Sequence, residues 1–459
     1  MAKQSVSDVL IIGGGVSGTA LLYQLAAFTD LKRITLLEKY AALAAVNSNG
    51  RNNSQTLHCG DIETNYTLEK ARQVQRTAAM LVNFASRLPQ CDQILFRHQK
   101  MVIGVGEQEC TALIERFRKF APHFPAMQLL GGEAIAEMEP NVIKGRREMI
   151  NAIAVEGEYT TVNFARLAEA FVAQARSQGK PGVDVQLSTR VERIEKQADL
   201  YRVRTSRGEF RARFVVVCAG GHSLLFAHRM GHGLHYSCLP MAGSFYYAPQ
   251  CLNGKVYTVQ NDKLPFAAIH GDPDILAQGK TRFGPTALVL PLLERYNLKT
   301  LPEFLQVLRP DAAVVAALWK LLRVPDIRRY IFRNLLFEVP GIRRRLFLRD
   351  ARKIVPSLQL SDLRFARHIG GVRPVMIDKR KRELHLGEAK IDTGEGIVFN
   401  MTPSPGATSC LGNAEKDMRI ISEYLGCQVF EDRFQACLSE PPSGQDRCHL
   451  SPGVPLDYS

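Results

Sequence analysis

The sequence predicts an α/β chain: a Rossmann-like nucleotide-binding domain with an inserted α+β substrate domain, a mixed β-sheet capped by helices. Three observations predict it. Near the N-terminus an apolar strand runs straight into a glycine turn and a helix. A second apolar strand ends in an acid twenty residues after that turn. A third apolar strand, ending in small residues, returns only at Arg213 to Gly221, so other structure interrupts the first unit.

Asp8-Val9-Leu10-Ile11-Ile12 reads as a buried strand. It feeds Gly13-Gly14-Gly15-Val16-Ser17-Gly18, a Gly-x-Gly-x-x-Gly turn, and a helical run from Thr19 to Phe28. Gly13 permits the tight turn. Gly15 lets the backbone approach a pyrophosphate held at the helix N-terminus, and Gly18 allows close helix–strand packing. Glu38, after the strand Ile34-Thr35-Leu36-Leu37, is placed to accept from ribose hydroxyls. Leu68, Ala71, Val74, Ala78, Leu81 and Phe84 carry helical spacing over 64–88. Residues 93–160 mix short strands with helices, and 162–177 read as a helix. A small meander is expected over 183–187, 191–195 and 201–205. The strand from Arg213 is apolar throughout, as a parallel strand buried on both faces is. Strands and turns alternate over 240–290, helices fill most of 300–353, and 365–412 is glycine-rich before a last helix at 413–425. The expected division is a discontinuous nucleotide domain (1–90, 150–230, 362–430), a substrate cap (91–149, 231–361) and a flexible tail (439–459).

A chain of 459 residues requires two or three structural units. Its 46% hydrophobic and 23% charged residues are those of a globular protein. No apolar run is long enough to span a bilayer, and the first apolar segment is the nucleotide strand rather than a signal peptide. Ten cysteines form no Cys-x-x-Cys pair, which argues against a metal or redox motif. The net charge of +14 asks for an anionic partner, and without nucleic-acid motifs that partner is acidic lipid or a charged metabolite. Between Lys320 and Lys353 eleven Lys or Arg face three Asp or Glu, interleaved with Leu, Ile and Phe. Such helices lie on an anionic membrane surface. The alternative is a solvated helix pair packed on its own domain. Pro325 and Pro340 break the run, so it does not span.

Five segments carry a resemblance: Arg51-Asn52-Asn53-Ser54 with His58-Cys59-Gly60, Asp61-Ile62-Glu63-Thr64-Asn65-Tyr66-Thr67, Val217-Cys218-Ala219-Gly220, Gly370-Gly371-Val372-Arg373-Pro374, and the run from Pro403 to Asn413. Together they resemble the FAD-dependent flavoproteins of the D-amino-acid oxidase/glycerol-3-phosphate dehydrogenase superfamily. Within it the chain looks most like the malate:quinone oxidoreductases, with the L-2-hydroxyglutarate dehydrogenases as near relatives. The resemblance covers about residues 6–425. It implies FAD, with Gly13, Gly15 and Gly18 at the pyrophosphate, Glu38 at the adenosine ribose and Lys39 flanking it. It implies that Val191 meets adenine through its backbone, and that Ala219 and Gly220 line the pyrophosphate path. Asn53, Ser54 and Gln55 then pass beside the isoalloxazine. Gly406, Ala407 and Thr408 offer backbone N–H groups to the flavin O2 from a helix starting near Thr408. The implied reaction is oxidation of (S)-malate to oxaloacetate, with electrons passed to a membrane quinone by a cytoplasmic enzyme on the inner membrane face. Oxidation of L-2-hydroxyglutarate, glycerol-3-phosphate or an amino acid stays open, as does a non-catalytic FAD scaffold. An NAD(P)-dependent reductase needs a second glycine fingerprint, and Gly104-Val105-Gly106 lacks the third glycine.

Oxidising a 2-hydroxy dicarboxylate needs a base for the hydroxyl proton and cationic forks for the carboxylates. His58, in the flavin-side loop, is one candidate base; packing within that loop is its structural alternative. His270 is the other, with Asp272 to orient it. Arg373 and Arg282 are the candidate clamps. Tyr247 reads as a substrate cover or an ordinary sheet tyrosine. The proximity of His58 and Cys59 to the flavin loop raises the question of covalent attachment.

Overall fold

A computed structural model describes residues 6–180, 182–260, 268–385 and 387–441. Most of the segment 439–459 therefore lies outside the described residues. The first sheet has eight strands, with central order Ala389–Asp392, Ile397–Met401, Gly208–Val217, Ser7–Ile12, Arg33–Leu37, Gly182–Gln186. Ser7–Ile12 pairs in parallel with both Gly208–Val217 and Arg33–Leu37, which explains the unbroken apolar runs in all three. The helix Val16–Phe28 packs between this sheet and the helices Phe164–Ser177 and Cys410–Leu425. Being buried on nearly every side, it shows no polar stripe. The expected three-stranded meander is divided. Val191–Gln197 and Leu200–Thr205 form a hairpin against Gly208–Val217. Gly182–Gln186 instead joins the parallel sheet beside Arg33–Leu37, where Val183 and Val185 pack on the main core.

The second sheet also has eight strands, in the order Arg364–Phe365, Tyr246–Pro249, Lys280–Gly284, His270–Pro273, Lys255–Thr258, Lys100–Val105, Ile150–Val155, Gln128–Leu130. Ile150–Val155 pairs with Lys100–Val105, so this strand belongs to the second sheet although it follows residue 149. Alternation divides the sheet's two faces. Met101, Val256, Phe283 and Tyr246 turn toward the helix Arg343–Ile354, where Phe347 stacks on Tyr246 with ring centroids 3.9 Å apart. The cross-strand register puts Lys100, Lys255, Tyr257, His270, Asp272, Arg282 and Tyr247 on the opposite face.

A third sheet orders Leu288–Val289, Tyr236–Ala242, Val372–Asp378 and Glu383–His385, with Met241 opposite Arg373. The helices Ala312–Arg323 and Pro325–Leu336 cover it, and Val314 and Ala317 pack with Leu239 and Val375. Among the described residues no helix is long and apolar enough to cross a membrane.

Candidate active site

One cleft runs from Glu38, past the glycine turn, to Thr408, His58 and Arg373. At its nucleotide end Gly13 and Gly18 are sterically required. Gly13 holds φ +113°, and a Cβ there would strike the Cys218 carbonyl; a Cβ on Gly18 would fall on the Gly13 carbonyl oxygen. Gly13 and Gly15 line the cleft, while Gly18 sits behind them in the helix contact. The helix that follows has no acidic residue in its first turn; Ser48 Oγ accepts from its Val16 N–H at 3.0 Å, and its positive end faces the cleft, where an anion is favoured. The Glu38 carboxylate accepts from the Gly14 N–H at 2.7 Å and the Tyr40 N–H at 2.9 Å, pinning turn to strand while still lining the cleft. Lys39 is ion-paired with Glu294 at the same end. Val191, Ala219 and Gly220 line the cleft. The acid, the glycine cradle and the positive helix end fit the FAD pyrophosphate and ribose.

At the flavin end the asparagine loop is a brace. Asn47 bonds Val372 with both halves of its amide, at 2.8 and 3.0 Å. Asn52 accepts from the Gly370 N–H at 3.3 Å, and Asn53 donates to the Asn47 and Asn49 carbonyls. Gln55 is fully buried at φ +53° and donates to Asp274 at 2.9 Å and the Gly50 carbonyl at 3.1 Å. Asn53, Ser54 and Gln55 all line the cleft, but the side chains of Asn53 and Gln55 are spent on loop shape. The late helix begins at Cys410, two residues beyond Thr408. The Gly406 N–H bonds Pro403 within the preceding turn, whereas no such bond is made by the Ala407 and Thr408 N–H groups among the described residues.

His58 lines the cleft, and its backbone N–H donates to Thr408 Oγ1 at 3.1 Å. Its Nδ1 lies 2.8 Å from Glu63. Burial pushes the Glu63 carboxyl up, but the His58 hydrogen bond and charge outweigh it and hold the group below the usual carboxylate range. Arg373 lines the cleft at the start of its strand, and among the described residues no carboxylate lies within ion-pair distance of it. Burial lowers its pKa, partly offset by Tyr330, Tyr66 and Tyr257 nearby.

The other two candidates sit elsewhere. His270 is buried outside the cleft lining, stacked on Tyr257 at 4.5 Å, with Nε2 3.2 Å from Asp272. The angle at that contact falls short of a hydrogen bond, so it is an ion-pair approach only. The expected His270–Asp272 proximity is present, and Lys255 stands 3.4 Å from Asp272. Burial raises the Asp272 carboxyl; His270, Lys255 and Arg282 overcome this and hold it far below the usual range. Arg282, expected as a second clamp, is completely buried. It donates to the Gly50 carbonyl at 3.1 Å and approaches Asp274 at 3.4 Å, with its guanidinium over Phe245. Tyr247 donates to the same Asp274 at 2.8 Å, so it too belongs to the brace.

The family model for FAD-dependent oxidoreductases matches residues 8–415. A probable malate:quinone oxidoreductase of Campylobacter jejuni is 50% identical over 95% of this chain and 99% of its own length. The malate:quinone oxidoreductase of Helicobacter pylori is 47% identical over 94% of this chain and 98% of its own length. The chain belongs to the malate:quinone oxidoreductase family. Its fold is that of FAD-bound L-α-glycerophosphate oxidase from Mycoplasma pneumoniae, at TM-score 0.63 and 19% identity, covering 91% of this chain and 95% of that one.

In this malate:quinone oxidoreductase family member, sequence reasoning missed Glu63, although it stands five residues after His58. It also missed Tyr66, Tyr257 and Tyr330, which surround Arg373 from three separate elements, and Lys255, which shares a face with Tyr257. For Glu63 the signal was an acid beside a loop histidine; for the tyrosines no local signal exists.

Proposed function

We propose that the chain oxidises (S)-malate to oxaloacetate and passes the electrons through FAD to a membrane quinone. One observation carries the assignment of residues: Arg373, with no carboxylate partner among the described residues, lines the same cleft as His58, whose Nδ1 is held by Glu63. A guanidinium fork takes a carboxylate in bidentate fashion. With Nδ1 donating to the ionised Glu63, His58 Nε2 keeps the lone pair that accepts the hydroxyl proton. The backbone of Asn53, Ser54 and Gln55 and the turn at Ala407 and Thr408 hold the isoalloxazine, which when bound supplies the hydride acceptor. His270 and Arg282 are buried and do not line this cleft. The malate assignment over 2-hydroxyglutarate, glycerol-3-phosphate or amino acids follows the names of the Campylobacter and Helicobacter relatives.

The membrane contact belongs to the helices Leu301–Leu308, Ala312–Arg323 and Pro325–Leu336. Val315, Trp319 and Phe332 on them, with Leu298 and Leu305, are each more than half exposed. Arg323, Arg328 and Arg329 stand among them. Scattered exposed apolar residues are ordinary, but a concentration ringed by arginine is a lipid-facing surface. The enzyme thus sits peripherally on the anionic inner face of the membrane from the cytoplasm, within the tricarboxylic acid cycle. The test is malate-dependent reduction of a quinone analogue by holoenzyme on vesicles. One oxaloacetate per quinol is expected; reduction driven equally by 2-hydroxyglutarate or glycerol-3-phosphate would overturn the substrate assignment.

A further inference from the structure

The cleft has an apolar end. Gly243, Phe245, Pro285 and Val372 line it there. Ala242, Leu288 and Val372 form a small apolar cluster apart from the main cores. The C-terminal end of the helix Pro325–Leu336 is bonded directly onto this rim. The Ala287 N–H donates to Asn334 Oδ1 at 2.7 Å, the Tyr246 hydroxyl donates to the Phe337 carbonyl at 2.9 Å, and Ser244 donates to Glu338. Arg295 closes the junction, donating to the Gly243 carbonyl at 2.6 Å and to Glu338 at 3.3 Å. On the same helix end Phe332, Leu335, Leu336 and Val339 are exposed. The exposed apolar side chains of this helix end therefore stand beside the cleft rim, across a junction bridged by Asn334, Ser244, Arg295 and Glu338.

From this adjacency we propose that a lipid-borne quinone enters the cleft at this rim. Its ring passes Leu335 and Leu336 and lodges between Phe245, Pro285 and Val372, while its isoprenoid tail stays along the docking helix. The inference rests on the function proposed above. A planar, largely apolar ring suits these walls, and Arg373, the residue after Val372, supplies donors for a quinone carbonyl. The step balances: the quinone gains the two electrons and two protons that malate loses on becoming oxaloacetate, and becomes the quinol. A second cavity lies behind the flavin loop, lined by Leu57, Cys59, Ala78, Val82, Phe124 and Met127.

Holoenzyme on anionic vesicles carrying an azido-quinone is photolysed, and the labelled peptides are mapped. Label in 242–246, 285–290 and 332–339 is expected. Label confined to 57–86 or 124–127, or no label at the rim while quinone is still reduced, overturns the proposal. Leu335→Glu/Leu336→Glu, both exposed, then separates entry from docking. With a short-chain, water-soluble quinone, flavin reoxidation is expected to slow at least about tenfold, and anaerobic bleaching by malate to stay unchanged. If only the lipid-borne quinone is affected, the helix docks but forms no entry, and the proposal fails. Failure of malate to bleach the wild-type flavin, read before quinone is added, is instead a failure of the proposed function.

Discussion

Glu63 holds His58 Nδ1 at 2.8 Å with one carboxylate oxygen and the Gly60 N–H at 2.9 Å with the other. One side chain thereby fixes both the imidazole and the loop that carries it. An ionised carboxylate on Nδ1 selects the tautomer whose Nε2 accepts a proton, which is the state a base for a hydroxyl group must hold.

Glu63→Gln is expected to slow flavin reduction by malate about 10²-fold, at the low end of what a positioned base contributes, with a smaller change in KM. The same variant tests stability. The folded Glu63 pKa lies below the ordinary carboxylate value, so its contribution is present above the unfolded pKa and is lost as pH falls through the lowered folded value. Thermal unfolding from pH 7 to pH 3 should therefore fall less steeply for the variant than for wild type. Equal slopes and unchanged reduction would remove Glu63 from both roles.

Arg373→Ala should lower kcat/KM for malate by about 2–4 kcal/mol, the cost of leaving a buried charged partner unpaired. Arg282→Ala should act differently, because that side chain ties Gly50 and Asp274 rather than facing the cleft. It should lower the melting temperature and loosen FAD, read by fluorescence of released flavin. A substrate-KM effect confined to Arg282 would reverse the two assignments.

The nucleotide end was legible because its chemistry is local: Gly13, Gly15, Gly18 and Glu38 fall within one strand–helix–strand unit, and sterics leave Gly13 and Gly18 no substitute. The flavin loop was legible as a run of residues but not as a brace, since the Asn47, Asn52 and Gln55 bonds reach 325, 318 and 219 positions away. His270 and Arg282 read as site residues because a basic side chain in a strand–turn context suggests a ligand. Asp272 and Asp274, on the same or the adjoining strand segment, lie within ion-pair distance of them. Strand pairing, absent from any single segment, decides which face of the second sheet they occupy. The basic stretch was legible as charge. Its exposed apolar side extends back to Leu298, ahead of the arginine-rich run that marked it.

Lys100 bonds Asp61 at 2.6 Å and approaches Glu158 at 3.4 Å, with both Lys100 and Asp61 nearly inaccessible. Its ammonium occupies the space among Cys59, Asp61 and Glu158 that a cation would otherwise take. Burial lowers the Lys100 pKa, but Asp61 and its neighbours raise it well above the ordinary value. This stabilisation is fully present below the unfolded lysine pKa and is lost only as pH rises through the higher folded one. Lys100→Met should destabilise the fold by about 3–5 kcal/mol, because it strands the Asp61 charge. Urea unfolding at pH 8 measures it, and a loss under 1 kcal/mol on the scale of exposed pairs would contradict the buried-pair reading.

Trp319→Asp and Phe332→Glu should reduce sedimentation with anionic vesicles several-fold while leaving folding intact, since both side chains are mostly exposed. Wild-type binding should weaken between low salt and 0.5 M salt, where the screening length shrinks to roughly 4 Å. Binding indifferent to both would place the membrane contact elsewhere.

The most direct measurement is the visible spectrum of the purified holoenzyme during anaerobic addition of (S)-malate. The account predicts that malate bleaches the oxidised flavin band in wild type, with one oxaloacetate formed per flavin, and far more slowly in Glu63→Gln and Arg373→Ala. A flavin-loaded protein that malate leaves oxidised, or one bleached equally fast in both variants, would contradict it.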